Sequence, residues 1–198
     1  MTQSDGAGTG SVPAPVTVLA GPTAVGKGTV SAAIRERYPQ IWLSVSATTR
    51  PPRPGEIDGV HYHFVDEDEF TRLVEAGQML EWARVHGRHR YGTPRGPVDA
   101  AVAAGHPVLL EIDLAGARQI RRTVPEARFV FLAPPDWDSL VQRLVGRGTE
   151  SAEERERRLE TARDELAAES EFDVTIINDD VSRATAELAA LLGVHEPD

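Results

Sequence analysis

The sequence predicts an α/β fold: a parallel sheet flanked by helices, with a small α+β lobe inserted into it and a helical lid. Three observations carry this. The apolar run Val16–Ala20 is closed by a glycine loop and followed from Val30 to Tyr38 by residues of helical type, which is the order strand, loop, helix. Further apolar runs of the buried kind alternate with helical stretches through the second half of the chain, as in sheets whose strands are covered on both faces. Between about Ser46 and Thr93 that rhythm breaks.

Taken in order, Met1 to Pro15 is rich in Gly, Ser, Thr and Pro, with neither a basic start nor an apolar centre. It reads as a flexible leader and not a secretion signal. The segment 46–93 holds a loop rich in Pro and Arg, the alternating His61-Tyr62-His63-Phe64, one helix and a short strand. That helix is expected to start at Asp66, with Glu69 at capping-box spacing. The acidic run Asp66–Glu69 is thereby explained by capping and dipole compensation, without a metal. Beyond the lobe, Pro107–Asp113, Ala127–Ala133 and Asp173–Asn178 read as strands, with helices around 114–122, 137–145 and 153–168. Ser151 with Glu154 marks the start of the last of these. The expected layout is a core of 16–45 and 94–192, the lobe at 46–93, a lid at about 146–158 and a tail at 193–198.

Bulk composition excludes several classes. At 198 residues the chain is long enough for one sizeable core but short for two independent domains. No apolar stretch approaches the roughly 20 residues needed to cross a bilayer. The absence of cysteine excludes disulfides, thiol nucleophiles and thiolate metal sites. These features point to a chain that stays in the cytoplasm. With 31 acidic and 21 basic residues the net charge is -10, which repels nucleic acid. Phosphate must therefore be held by local geometry.

The loop Gly21-Pro22-Thr23-Ala24-Val25-Gly26-Lys27 supplies such geometry. Its glycines let backbone amides converge on phosphate oxygens, the following helix offers its positive end, and Lys27 reaches the terminal phosphates. This is the phosphate loop of the P-loop NTPase type. The next position departs from the usual pattern, because Gly28 stands where a Ser or Thr commonly ligates magnesium. Thr29 is the nearest hydroxyl and the candidate protein ligand to Mg²⁺. The expected donor is ATP with its magnesium, and the six histidines show no spacing suited to a zinc site.

A more specific signal lies in Ser44-Val-Ser46-Ala-Thr-Thr-Arg50-Pro-Pro-Arg53-Pro-Gly-Glu56, followed by Gly59-Val-His-Tyr62-His-Phe64. Glu81-Trp82, Tyr91-Gly92-Thr93, Glu111-Ile-Asp113, Gly146-Arg147-Gly148-Thr149 and Asn178-Asp179-Asp180 follow in order. Over about residues 16–192 the chain resembles the guanylate kinase family. The resemblance implies ATP-dependent phosphorylation of GMP. Arg50 and Arg53 can fork around the acceptor phosphate, with Ser46 and Tyr62 as neutral donors and Tyr91 as a further phosphate ligand. The same resemblance implies that Glu81, Thr93 and Asp113 read guanine. A carboxylate accepts from the N1–H and N2–H₂ of guanine, whereas adenine has no donor at N1.

Arg143, Arg147 and Arg158 flank a glycine-rich segment that reads as a lid bringing positive charge onto the transferring phosphoryl group. The family likeness favours Arg147 and Arg158. Glu111 lies two residues before Asp113 on the same strand face, at the sheet edge where ligands bind. Two alternatives stand beside this reading: a kinase for another monophosphate such as AMP, and a guanylate-kinase-like module that binds partners without catalysis. Glu81 and the Ser44–Arg53 segment oppose the first, and Gly26-Lys27 with the lid arginines opposes the second.

Overall fold

The computed structural model describes residues 16–85, 89–145 and 152–195. The leader, the 86–88 segment with Arg88, and 146–151 with Arg147 and the expected cap at Ser151 lie outside the described residues. In chain order the elements are β1 (Val16–Ala20), α1 (Lys27–Arg37), β2 (Trp42–Leu43), β3 (Ala47–Thr48), β4 (His63–Phe64), α2 (Glu67–Glu75), β5 (Met79–Val85), β6 (His89–Pro94) and α3 (Arg95–Ala103). They continue as β7 (Val108–Glu111), α4 (Leu114–Thr123), β8 (Arg128–Ala133), α5 (Trp137–Val145), α6 (Ala152–Ala167), a 3-10 turn Ala168–Glu171, β9 (Val174–Ile177) and α7 (Val181–Leu191).

Two sheets result. The core sheet has the order β2-β7-β1-β8-β9, with every pairing parallel. Its strands are apolar on both faces because helices cover both. Along β1, Leu19 joins a cluster with Val30 and Ile34 of α1, Leu140 of α5, Ala162 of α6 and Leu188 of α7. Its neighbours Val18 and Ala20 point the other way, packing with Val98 of α3 and Ala117 and Ile120 of α4. Period-2 alternation inside an unbroken apolar run is thus what a two-sided sheet demands. The fold is a mostly parallel sheet flanked by helices.

The smaller sheet, β4-β3-β6-β5, is mixed, since β3 and β4 run parallel while β6 runs antiparallel to both β3 and β5. Its own core is small: Ala47, Phe70 and Met79, with Val65, Leu73 and Val74 against it. Polar bonds reinforce it. Asp66 caps α2, its carboxylate accepting from the Glu69 amide at 2.7 Å as the spacing predicts. Arg90 of β6 is buried; it donates to the Glu67 carbonyl and the Thr71 hydroxyl, pairs with the Glu67 carboxylate, and covers the Phe70 ring with its guanidinium carbon 4.6 Å from the centroid. Arg90 is therefore a strut between β6 and α2.

Gly92 sets how closely β5, β6 and α2 approach. A Cβ there would stand 2.8 Å from the Glu81 carbonyl oxygen, 2.9 Å from Trp82 Cβ and 3.2 Å from Phe70 Cζ. Gly92→Ala is expected to cost about 1–3 kcal/mol of stability through overpacking. Gly96→Ala, in a helical position with nothing within 4 Å, should be neutral or stabilising by up to about 1 kcal/mol. Urea unfolding of the two variants beside the wild type measures both.

Candidate active site

The glycine loop between β1 and α1 is built to receive an anion. Helices α2, α4 and α7 are closed at their N-termini by Asp66, Asp113 and Asp180. Helix α1 begins at Gly26-Lys27 with no side-chain cap and no acidic residue in its first turn. Its free amides and positive end face the loop. Gly26 has φ 104°, and a Cβ there would lie 2.6 Å from Asn178 Nδ2, so glycine is required on two counts. Ala24 takes a left-handed φ of 65° without being glycine, a strained conformation of the sort that ligand loops retain.

The loop is held from behind. Asn178, buried at the end of β9, donates from Nδ2 to the Val25 carbonyl at 2.8 Å. Arg143 of α5 donates to the same carbonyl at 2.9 Å and to the Asn178 carbonyl at 3.2 Å. The lid reading places Arg143 at the reacting phosphate; in this structure its guanidinium instead secures the loop backbone. Lys27 folds back over the loop, its Nζ donating to the carbonyls of Gly21 at 2.7 Å and Pro22 at 3.2 Å. Desolvation pushes its pKa down, and the carboxylates of Glu111, Glu165 and Asp113 oppose that shift.

In front of Lys27 opens a cleft of about 280 Å³ between the two sheets. From the list of expected ligands, Lys27, Ser46, Arg50, Arg53, Tyr62, Glu81, Tyr91 and Asp113 all line it. Thr93 stands just behind, fully buried on β6, where its hydroxyl donates to Glu81 Oε1 at 2.7 Å. Gly28 and Thr29 are exposed on the first turn of α1. Arg158 lies half-buried on α6.

The arginine end is preorganised. Arg50 is 9% exposed and has four of its five N–H donors engaged. Nη1 donates to the Pro51 carbonyl and Glu56, Nη2 donates to Glu56, and Nε donates to the Tyr91 hydroxyl at 3.1 Å. One Nη2 hydrogen is left over. Glu56 also accepts from the Arg53 amide at 2.6 Å, so a single carboxylate shapes the loop carrying both arginines. The bond to Arg50 holds the Glu56 carboxyl below the usual range. Tyr62 and Tyr91 meet edge to face at 5.8 Å, and burial pushes the Tyr62 phenol up, keeping it a donor.

The opposite end is acidic. Glu81 is 5% exposed, and burial, with the Asp113 charge nearby and only partly offset by the Thr93 bond, raises its pKa to about 7. Asp113 caps α4, accepting from the Gly116 amide at 2.7 Å. Gly116 is glycine because a Cβ would stand 2.6 Å from Glu81 Oε2 and 3.3 Å from Asp113 Oδ1. The carboxylate of the lobe therefore sits against the positive end of a core helix. Gln119, one turn further along α4, accepts from the Trp82 amide at 3.2 Å and donates to the Trp82 carbonyl at 2.8 Å. Sequence reasoning assigned no role to Glu56, Gln119 or Glu165; only Glu56 carried a signal, its place in the Arg50–Glu56 segment.

A phosphate loop on a parallel sheet, facing a cleft with cations at one end and carboxylates at the other, defines a nucleotide-binding protein of the P-loop kinase class. The profile of the guanylate kinase family matches residues 14–194, and the chain belongs to that family. A guanylate kinase of Frankia casuarinae is 64% identical over 181 residues, 91% of this chain and 98% of its own. One of Thermobifida fusca is 62% identical over 180 residues, 91% of each chain. The crystal structure of guanylate kinase from Anaplasma phagocytophilum, 30% identical, matches with a TM-score of 0.73 over 92% of this chain and 86% of that one. Among the described residues no helix is long and apolar enough to cross a membrane.

The raised pKa of Glu81 has a measurable sign. The folded state holds the proton more tightly than the unfolded chain, so the stability this gives is present below about pH 4.5 and is lost as pH rises through about 7. The difference in unfolding free energy between wild type and Glu81→Gln should shift against the wild type by at most roughly 3 kcal/mol between pH 5 and 8.5. Urea titrations at the two pH values test this, and a constant difference would contradict it.

Proposed function

We propose that the protein is an ATP:GMP phosphotransferase acting with magnesium in the cytoplasm, where purine nucleotides are interconverted. The observation that carries the reading is the polarity of the cleft. Lys27 and the uncapped start of α1 adjoin one side, Arg50, Arg53, Tyr62 and Tyr91 converge on a second, and Glu81, Thr93 and Asp113 close the third. A nucleoside monophosphate laid across it presents its phosphate to the arginines and its base to the carboxylates. The base then needs donors at its edge, as guanine has at N1 and N2. Glu81 accepts from these when ionised, with the Thr93 hydroxyl fixing its orientation. Adenine presents an acceptor at N1 where guanine has a donor, so it cannot satisfy the ionised Glu81 carboxylate as guanine does.

The reaction asks the chain to position two mutually repelling phosphates in line and to neutralise the charge that builds on the transferred group. Lys27 exchanges its loop carbonyls for phosphate oxygens, and the amides of α1's first turn hold the donor. Arg53 and the remaining Nη2 hydrogen of Arg50 grip the acceptor phosphate. No general base is needed, because the acceptor phosphate is itself the nucleophile. Arg158 and Arg147 bring lid charge, while Arg143 holds the loop in place.

The oxygen donors present suit a hard cation. Glu111 Oε1 lies in the cleft, 3.8 Å from where a Cβ on Gly28 would be, and the Thr29 hydroxyl stands exposed on the first turn of α1. These are the side chains from which magnesium arriving on the triphosphate would draw a protein ligand. Magnesium there supplies charge neutralisation between the phosphates.

ADP release measured over GMP, AMP, CMP and UMP should show turnover with GMP and little with the others. Comparable rates with AMP would sink the guanine assignment. Lys27→Ala should cut turnover by several orders of magnitude with a modest change in GMP affinity. Arg53→Ala should weaken GMP binding by about one to two decades with ATP affinity and melting temperature unchanged, and Arg53→Lys should recover part of the loss. Arg50→Ala should lose both GMP affinity and stability, because that guanidinium also ties the loop together.

A further inference from the structure

Helix α6 reaches the phosphate loop with a polar bond from Glu165. Glu165 Oε2 accepts from the Thr23 backbone amide at 2.7 Å, joining residues 142 apart in sequence. Placing a carboxylate beside a loop that must receive phosphate is electrostatically costly, and Glu165 also lies close enough to Lys27 to influence its charge. The bond is therefore expected to have a compensating use.

The geometry of α6 supplies one. At 3.6 residues per turn, Arg158, Ala162 and Glu165 fall on one stripe, two turns from end to end, about 10 Å along the axis. Ala162 is fully buried in the cluster that contains Val25 of the loop and Val30 of α1, with Leu159 and Leu166 packed against it. Arg163, outside this stripe, lies with its guanidinium carbon 5.1 Å from the Trp137 ring centroid, fastening α6 to α5. Apolar packing and this stacked arginine set the depth and tilt of the helix. A hydrogen bond to a backbone amide adds a distance and an angle that must be met, a directional constraint that non-directional apolar packing does not supply by itself.

We propose that Glu165 is a positioning residue: by holding the Thr23 amide it sets the axial position of α6 and so places Arg158 relative to Lys27 and the donor phosphates. The inference rests on the phosphoryl-transfer reading above. Thr23 precedes the amides at the start of α1, so Glu165 takes an N–H that the uncapped helix end does not need for its ligand. The carboxylate then serves as a tie between lid helix and loop, and not as a competitor of the triphosphate.

The test compares wild type, Glu165→Ala and Glu165→Gln. Glutamine keeps a carbonyl oxygen that can accept from the Thr23 amide but removes the charge; alanine removes both. GMP-dependent ADP release by the wild type comes first, since its absence would defeat the phosphoryl-transfer reading and not this inference. With activity established, Glu165→Ala should lower kcat about tenfold or more with the KM for GMP within about twofold of wild type. Glu165→Gln should restore kcat to within about threefold. The Thr23 amide resonance in a ¹⁵N–¹H spectrum should move in the alanine variant and stay near its wild-type position in the glutamine variant. A purely structural tie would lower the melting temperature of Glu165→Ala and leave kcat intact at a temperature where it is folded, and that result overturns the proposal. Equal kcat losses in both variants, or tighter ATP binding in Glu165→Ala, overturn it as well.

Discussion

The packing of one buried carboxylate against one helix start governs the architecture. Glu81 belongs to the lobe and Gly116 to the core, and the two come so close that no side chain larger than hydrogen fits between them. Asp113 satisfies the Gly116 amide from the other side, and Gln119 bonds both backbone groups of Trp82 as a neighbouring strand would. The junction fixes where the lobe stands on the core, and with it the span between the arginines and the carboxylates. Burial raises the Glu81 pKa to about 7, so the protein carries at this joint a group whose charge is poised near neutrality. A ligand with two adjacent N–H donors shifts the balance towards the ionised form.

The second organising feature is that an acidic chain of net charge -10 holds anions by local geometry. Positive groups are kept where they are used, and several are tethered by partners that set their direction. Arg50 is oriented by Glu56 and Tyr91, and Lys27 by the carbonyls of its own loop. Asn178 and Arg143 brace the loop from β9 and α5. The bracing of Arg50 and of the loop backbone lowers the reorganisation needed when phosphate arrives, which is where electrostatic catalysis gains most, while Lys27 has its two carbonyl bonds to give up.

Much of this was legible from residue order alone. The core strands announce themselves as unbroken apolar runs because both faces are covered, and Asp66 with Glu69 marks a helix start that the structure places there. The Arg50–Glu56 segment, Glu81 and Asp113 were readable through family likeness, and the fold brings them to one cleft. Other features were not legible for physical reasons. Helix α1 starts at Lys27, before the expected Val30, because a phosphate loop begins its helix on glycines that propensity counts against. Helix α3 opens at Arg95 and carries Gly96 and Pro97 in its first turn, the one stretch of a helix where proline is tolerated, so local propensity does not mark it. Arg90 is consumed as a strut to α2, a role set by partners on another element and not by its own stretch of sequence. Glu165 and Gln119 act on backbone groups far away in sequence, and no local pattern encodes such a partner.

The most direct test of the account is the proton balance of GMP binding. Calorimetric titration at pH 7.0 in two buffers of different ionisation enthalpy gives the number of protons released per GMP bound. If Glu81 must ionise to read guanine, binding should release about half a proton from a group with a pKa of about 7. The phosphate of the ligand, with a second pKa of about 6, adds only about a tenth. Release of about half a proton or more is the predicted result; release of no more than that tenth would contradict the assignment of Glu81 as the reader of the base.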